Sequence, residues 1–345
     1  MTNRDVPPAQ FTCSGASITV EGVRKRFGKT QALDGLTLKA DPGTVFSLLG
    51  PNGSGKTTLV RILTTLLRPD SGSARIGDYD VVKDAHAVRS IIGLAGQYPA
   101  VDENLSGREN LEMIGQLYHL GGKKARERSS ELLEVFNLTD AGSRRVKTYS
   151  GGMRRRLDLA ATLVASPPIL FLDEPTTGLD PRSRLGLWEV ISGQAKNCNT
   201  VFLTTQYLEE ADRLADKIAI IDDGKVLREG TPQELKDCCG GDTHVRIRLA
   251  DRTRTDDAVE ALRTLGGNAV YGDPATGEVS LPAKDGTSML ADVVRRMDSE
   301  GILLAEIGIK QPTLDDVFLS LTGHTTSEEK IADGDAADST QEAGG

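Results

Sequence analysis

Gly50-Pro51-Asn52-Gly53-Ser54-Gly55-Lys56-Thr57 follows the apolar run 45–49 and precedes a segment, 57–67, whose apolar residues recur at helical spacing. Strand, glycine loop and helix in that order is the setting in which the pattern G-x-x-x-x-G-K-[ST] holds phosphate. Glycines let backbone N–H groups converge on phosphate oxygens, and the start of the helix adds partial positive charge. Residues 50 to 55 then form the cradle, Lys56 reaches the β- and γ-phosphates, and the Thr57 hydroxyl ligates Mg2+. The turn chemistry of Arg68-Pro69-Asp70-Ser71-Gly72 ends the helix. Such a loop alone serves kinases, GTPases, helicases and transporter ATPases equally.

A second motif narrows the choice. Ile169-Leu170-Phe171-Leu172-Asp173-Glu174 reads as a buried strand ending in two carboxylates. The first of such a pair holds Mg2+ and the second orients water, so Asp173 is a metal candidate and Glu174 the general-base candidate. Val201 to Thr205 returns as another buried strand and is followed by Gln206.

Outward from these motifs, 345 residues predict about two domains. Hydrophobic content of 38 % and charge of 26 % are those of a folded globular chain. The net charge of −9 argues against a nucleic-acid backbone as main partner. Residues 324–345 alone, with six acids and one base, carry −5 of it. No apolar run approaches the ~18 to 20 residues of a membrane span, so a membrane role would be peripheral. The first residues lack the basic-then-apolar order of a secretory signal. The four cysteines, Cys13, Cys198, Cys238 and Cys239, form neither a disulfide framework nor a CxxC pair, which fits a reducing cytosol.

The chain divides into a flexible leader at 1–15, a main domain at 16–240 with a mostly helical stretch at about 100–165, an accessory domain at 241–323 and a disordered acidic tail at 324–345. Leu111, Ile114, Leu117 and Tyr118 are placed on one helix face, and Leu132, Leu133, Val135 and Phe136 in a later helix. The accessory domain predicts the order β-α-β-β-α-β of a ferredoxin-like layer, with strands near 244–249, 268–271, 278–282 and 303–309.

Between the two motifs stands Ser150-Gly151-Gly152-Met153, and here the chain resembles the ATP-binding-cassette (ABC) ATPases, whose signature reads LSGGQ. Tyr149 and Met153 depart from that pattern, while Leu105-Ser106-Gly107 is a decoy lacking the second glycine. Arg154-Arg155-Arg156 then reads as the start of a helix behind a phosphate-facing loop. Phe27 resembles the aromatic that stacks on adenine, Gln97 the glutamine that touches Mg2+ or water, and Gly178-Leu179-Asp180 the loop that crosses the dimer interface. Gln206 stands where the family usually places a histidine.

The subgroup resemblance is to ATPase subunits of daunorubicin/doxorubicin-resistance type exporters. It rests on residues 101–111, on Thr204-Thr205-Gln206-Tyr207-Leu208-Glu209-Glu210-Ala211 and on Pro312-Thr313-Leu314-Asp315-Asp316-Val317-Phe318-Leu319. It implies an α/β P-loop NTPase of the ABC ATPase type, a RecA-like core with an antiparallel β part and a helical subdomain, plus the small α+β ferredoxin-like C-terminal domain. It further implies ATP and Mg2+ as ligands. The ATP-binding set would be Phe27, Gly50, Pro51, Asn52, Gly53, Ser54, Gly55, Lys56, Thr57, Thr58, Gln97, Ser150, Gly151, Gly152 and Asp180. Thr57, Gln97 and Asp173 would face the metal, and Glu174, Gln206 and Lys56 the chemistry.

The same resemblance implies a homodimer closing on two ATP molecules at the cytoplasmic face of the membrane. Its partner would be a separately encoded membrane-spanning permease that carries a hydrophobic, antibiotic-like cargo, or else a lipid or polyketide-like metabolite. A non-transport ABC ATPase acting on ribosomes or DNA fits less well, since there is one P-loop and no long heptad run. A GTPase would carry an Asn-Lys-x-Asp sequence, which is absent.

Overall fold

The computed structural model describes residues 16–96, 100–196, 199–239, 243–283 and 287–322. The leader, the acidic tail and Gln97 lie outside the described residues. The chain forms two units, one running to residue 232 and the other spanning 233–324.

In the first unit the elements run β1 (Ile18–Phe27), β2 (Thr30–Ala40), β3 (Val45–Leu49), α1 (Lys56–Leu63), β4 (Ser71–Ile76), β5 (Tyr79–Asp80), α2 (Ala85–Ile91) and β6 (Ile92–Ala95). Then come α3 (Gly107–Leu117), α4 (Gly122–Val135), α5 (Gly151–Thr162), β7 (Ile169–Asp173), α6 (Pro181–Lys196), β8 (Thr200–Thr205), α7 (Leu208–Leu214), β9 (Lys217–Asp222) and β10 (Lys225–Gly230). One sheet has the order β10-β9-β3-β8-β7-β6. Its strands β9, β3, β8, β7 and β6 are mutually parallel, with β10 antiparallel at the edge. A second, antiparallel sheet runs β2-β1-β4-β5.

The apolar runs seen in the sequence are the central parallel strands. Every residue of β3, β7 and β8 is buried, as expected where both sheet faces are covered. Phe46 of β3 stacks on Phe202 of β8 at 5.5 Å between ring centroids, and Phe171 of β7 lies 5.6 Å from Phe202. Such pairs add about 0.5 to 1.5 kcal/mol each beyond area burial. They hold together the three strands whose ends carry the functional loops.

The helix after the glycine loop is shorter than its spacing suggests. Thr65 adopts φ 65°, and the Leu66 N–H donates back to the Arg61 carbonyl, which closes α1 before the prolyl turn. On α3, Leu111 is fully buried but Leu117 is 70 % exposed. At ~100° per residue Leu117 lies well round the helix from Leu111, and Tyr118 caps the end where the chain turns outward. Val135 also faces out, whereas Leu132, Leu133 and Phe136 are buried.

The second unit opens within α8 (Pro232–Cys239), upstream of the Gly240-Gly241 composition break. It continues with β11 (His244–Leu249), α9 (Thr255–Gly266), β12 (Tyr271–Asp273), β13 (Glu278–Pro282), α10 (Thr287–Ser299), β14 (Leu304–Lys310) and α11 (Leu314–Thr322). The antiparallel sheet order β12-β13-β11-β14 is the ferredoxin-like arrangement expected from the sequence. Val245, Ile247, Leu249, Val279 and Leu281 form its core with Ala258, Leu262, Val293 and Met297 of the helices. Arg246 and Arg248 alternate outward and pair with Glu278. β12 begins only at Tyr271 because 267–269 forms a 3-10 turn. No described helix is long and apolar enough to cross a membrane.

Candidate nucleotide site

The site gathers at the carboxyl ends of the parallel strands, the position at which open α/β sheets present ligands. The cradle leaves the end of β3, where the Gly50 N–H donates to the Thr205 carbonyl of neighbouring β8 at 3.2 Å. A Cβ on Gly50 would stand 2.2 Å from the Ile221 carbonyl oxygen, so only glycine lets the loop pass β9. Gly55 has φ 106° and a Cβ there would meet the Ala32 carbonyl at 2.5 Å, so the turn into α1 is also restricted to glycine. Asn52 and Gly53 are exposed at the loop tip, Pro51 is half-buried, and Ser54 has a buried hydroxyl with no protein partner.

Lys56 is 4 % exposed. Its Nζ donates to the carbonyls of Gly50 at 2.8 Å and Pro51 at 2.9 Å, and lies 3.6 Å from Glu174 Oε1. Burial lowers the lysine pKa from its ordinary value, while the charge and hydrogen bond of Glu174 and the charge of Asp173 oppose that shift. Thr57 Oγ1 donates to Asp173 Oδ1 at 3.3 Å, and Thr58 sits half-buried on the first turn of α1. A hydroxyl beside a carboxylate is the hard-oxygen donor set that Mg2+ takes, with nucleotide phosphates supplying the remaining ligands. Among the described residues no three His, Cys, Asp or Glu side chains cluster into a metal site.

The two acidic residues at the end of β7 are held, one by its carboxylate and the other by its backbone, by a residue that reads in the sequence as ordinary strand. Thr204 of β8 is fully buried; its hydroxyl donates to Asp173 Oδ1 at 2.6 Å and accepts the Glu174 N–H at 3.1 Å. The signal available was register alone, because Thr204 stands directly opposite Asp173 across the β7–β8 pair. Glu174 adopts φ 50°, left-handed for a non-glycine residue, which costs of order 1 to 3 kcal/mol and characteristically marks functional positions. Its side chain meets Lys56 on one side and the Thr177 hydroxyl, at 3.4 Å, on the other.

Gln206 follows β8 half-buried, and its Oε1 has no protein partner. Phe27 ends β1 with 49 % of its surface exposed, and Lys25 Nζ lies 5.7 Å from its ring centroid. That leaves an aromatic face open to a flat base. Asp180 caps α6, accepting the Ser183 N–H at 3.1 Å ahead of the helix-opening Pro181. Hydrogen bonds from Ser183 hold its carboxyl below the ordinary value.

Ser150 caps α5 by accepting the Met153 N–H at 3.3 Å. Gly151 is exposed with open space around its missing Cβ, whereas Gly152 approaches Ser183. The departure at Tyr149 has a local cause. Its hydroxyl donates to the Ala141 carbonyl at 2.7 Å, and a Cβ on Gly107 would stand 2.4 Å from it. The decoy Ser106-Gly107 thus serves the helical region: Gly107 makes room for Tyr149, and Ser106 forms a capping box with Glu109 at the start of α3.

Behind the site lies a buried carboxyl. Glu210 on α7 is fully buried and accepts the Trp188 indole N–H of α6 at 3.0 Å. Burial pushes its pKa up, against the neighbouring Thr205 and Thr176 hydroxyls, the Trp188 hydrogen bond and the charge of Arg184 that pull it down. The folded state therefore keeps a proton that the unfolded chain releases. The stability this contributes is full below the unfolded carboxyl range and is lost as pH rises through the folded value. Glu210→Gln will accordingly gain in melting temperature over the native chain at pH 8 relative to pH 5. A difference in thermal unfolding that does not change with pH would contradict this.

The sequence profile described as ABC transporter matches residues 33–177. Daunorubicin resistance ATP-binding protein DrrA2 of Streptomyces coeruleorubidus is 50% identical over 312 residues, covering 90% of this chain and 97% of that protein. Doxorubicin resistance ATP-binding protein DrrA of Mycobacterium tuberculosis (strain ATCC 25618 / H37Rv) is 49% identical, covering 90% and 95%. Among solved structures, the dimeric post-hydrolysis state of the ATP-binding cassette MJ0796 bound to ADP and Pi matches with a TM-score of 0.57 and 26% identity, over 62% of this chain and 98% of that one. With a cassette fold, a phosphate loop beside paired carboxylates and relatives alike over nearly their whole length, the chain belongs to the ABC transporter ATP-binding subunits of the daunorubicin/doxorubicin-resistance type.

Proposed function

We propose that this chain hydrolyses ATP to drive export of a hydrophobic, drug-like compound through a separately encoded membrane-spanning permease, at the cytoplasmic face of the membrane. The observation that carries the ATPase reading is the meeting of Lys56 with Glu174 at 3.6 Å beside the Thr57–Asp173 pair. Lys56, Ser54 and the backbone of 50–55 bind the phosphates, and Phe27 stacks on the base. Thr57 and Asp173 would hold Mg2+, with Gln97 as its third expected neighbour, and the ion would neutralise phosphate charge. Glu174 orients water and accepts its proton, so catalysis is mainly placement and electrostatics.

Two copies would close face to face, Ser150, Gly151 and Gly152 of each lying over the ATP held by the other, with Asp180 near the shared face. ATP bonded by both copies only in the closed state shifts the population to that state, and hydrolysis removes the bridge. The capped α5 start and the open space at Gly151 favour this role.

Drug cargo follows the relatives' names. The other cargo reading draws on a less similar relative, the Nod factor export ATP-binding protein I of Ralstonia nicotianae, 35% identical over 92% of this chain, so drug export is the stronger reading. Expressing this chain with and without its permease in a drug-sensitive host decides: resistance to daunorubicin only when both are present supports drug export. Unchanged sensitivity with both present contradicts it.

Gln206 gives this reading a pH signature. Its amide donates a hydrogen bond to a phosphate oxygen but does not titrate. The native ATPase profile will therefore lack a limb near pH ~6.5, and Gln206→His will introduce one. A histidine-like limb already present in the native protein contradicts the assignment.

A further inference from the structure

The three consecutive arginines at the start of α5 point to three different places. Arg154 pairs with Glu103 at 2.8 Å near the surface, and Arg156 donates to the Phe136 carbonyl at 3.0 Å. Arg155 turns inward and is 8 % exposed. Its Nε donates to the Pro175 carbonyl at 2.8 Å, its Nη2 to the carbonyls of Asp173 and Glu174 at 3.1 Å each, and its Nη1 to the Gly96 carbonyl at 2.6 Å. Nη1 also lies 3.5 Å from Asp158 Oδ2, one turn further along α5. A guanidinium has five N–H donors in a planar fork, and here they face four carbonyl oxygens and one carboxylate oxygen.

Successive carbonyls of an extended strand point to opposite sides. Those of Asp173, Glu174 and Pro175 instead reach one side chain, which the left-handed Glu174 makes possible. The guanidinium thus binds the backbone conformation that aims the Glu174 carboxylate. Asp158 extends the contact by accepting the Ala100 N–H at 2.7 Å through its other oxygen. Arg155 and Asp158 thereby hold the backbone at Gly96 and at Ala100, on either side of Gln97.

We propose that Arg155, oriented by Asp158, is a positioning residue for hydrolysis: it fixes the Glu174 backbone to the helix that begins at Ser150-Gly151-Gly152, so that the base is aimed only while that helix is in place. The proposal rests on the reading of Glu174 as the base. The Arg155 donors face backbone carbonyls and Asp158, so its removal would affect turnover through Glu174. Lysine keeps the charge but offers a single ammonium that cannot span carbonyls fanned around a planar fork.

The test uses the full-length chain with Arg155→Lys, Asp158→Asn and Glu174→Gln, alone and combined, reading kcat, KM, equilibrium ATP affinity and melting temperature. Arg155→Lys is expected to keep ATP affinity within about threefold and lose about 30- to 100-fold in kcat, the scale of a misplaced catalytic group. Asp158→Asn, which keeps the Ala100 contact and loses the charge, is expected to lose kcat by a smaller factor in the same pattern. It decides the matter should Arg155→Lys not fold. Added to Glu174→Gln, either substitution will change the residual rate by less than about twofold, because the group it positions is already gone.

Undiminished kcat, a loss confined to KM and ATP affinity, or full losses that multiply with that of Glu174→Gln would each overturn the positioning role and leave a structural brace. If Glu174→Gln itself turned over at the native rate, the base assignment would fail instead, and the two failures are distinguishable.

Discussion

Glu174→Gln will bind ATP and stop turning it over. The glutamine amide cannot accept a proton from water, and removing a positioned general base costs typically about 10²- to 10⁴-fold in rate. The cradle of 50–55 and the Thr57–Asp173 pair lie outside the substituted group, and Lys56 keeps its bonds to the Gly50 and Pro51 carbonyls while losing only the facing Glu174 charge. With ATP left intact between two copies, the closed dimer should accumulate, visible by light scattering as a doubling of mass on adding ATP. Hydrolysis within twofold of the native rate would remove Glu174 from the base role.

Lys56→Met will lose nucleotide affinity by about 100-fold or more. Hydrogen bonds to charged groups contribute about 1.5 to 3 kcal/mol each, and one ammonium facing two phosphates makes more than one such bond. Methionine keeps most of the aliphatic stem in its buried slot, so the loss reports the charge and not the packing. The substitution also leaves the carbonyls of Gly50 and Pro51 without their donor and Glu174 without its cation. Calorimetric titration with ATP measures the effect. An affinity within about threefold of native would show that the lysine serves the loop and not the phosphate.

The legible part of the molecule was the part written in contiguous residues. Gly50 to Thr57 and Ile169 to Glu174 carry strand, loop and chemistry within a few positions, and their neighbours in space follow from parallel pairing. The ferredoxin-like order of the second unit was likewise legible, because its strands alternate apolar and polar residues. What escaped was chemistry assembled across elements. Thr204 matters through its register opposite Asp173, and Arg155 through a turn that only the left-handed Glu174 creates.

The same holds for smaller discrepancies. Leu117 looked like a core residue because it is apolar, but its angular position on α3 exposes it. Tyr149 departs from the signature pattern, and Gly107, 42 residues upstream, is shaped around it. For Leu117 the helix geometry decided the outcome, and for Tyr149 a partner distant in sequence did.

If ATP hydrolysis at Glu174 drives export, daunorubicin uptake into inverted membrane vesicles will depend on that residue. Vesicles containing the permease and the native chain should accumulate the drug when ATP and Mg2+ are supplied, and those with Glu174→Gln should bind ATP without accumulating it. Accumulation that persists with Glu174→Gln, or that does not require ATP, would show that hydrolysis at Glu174 does not drive export.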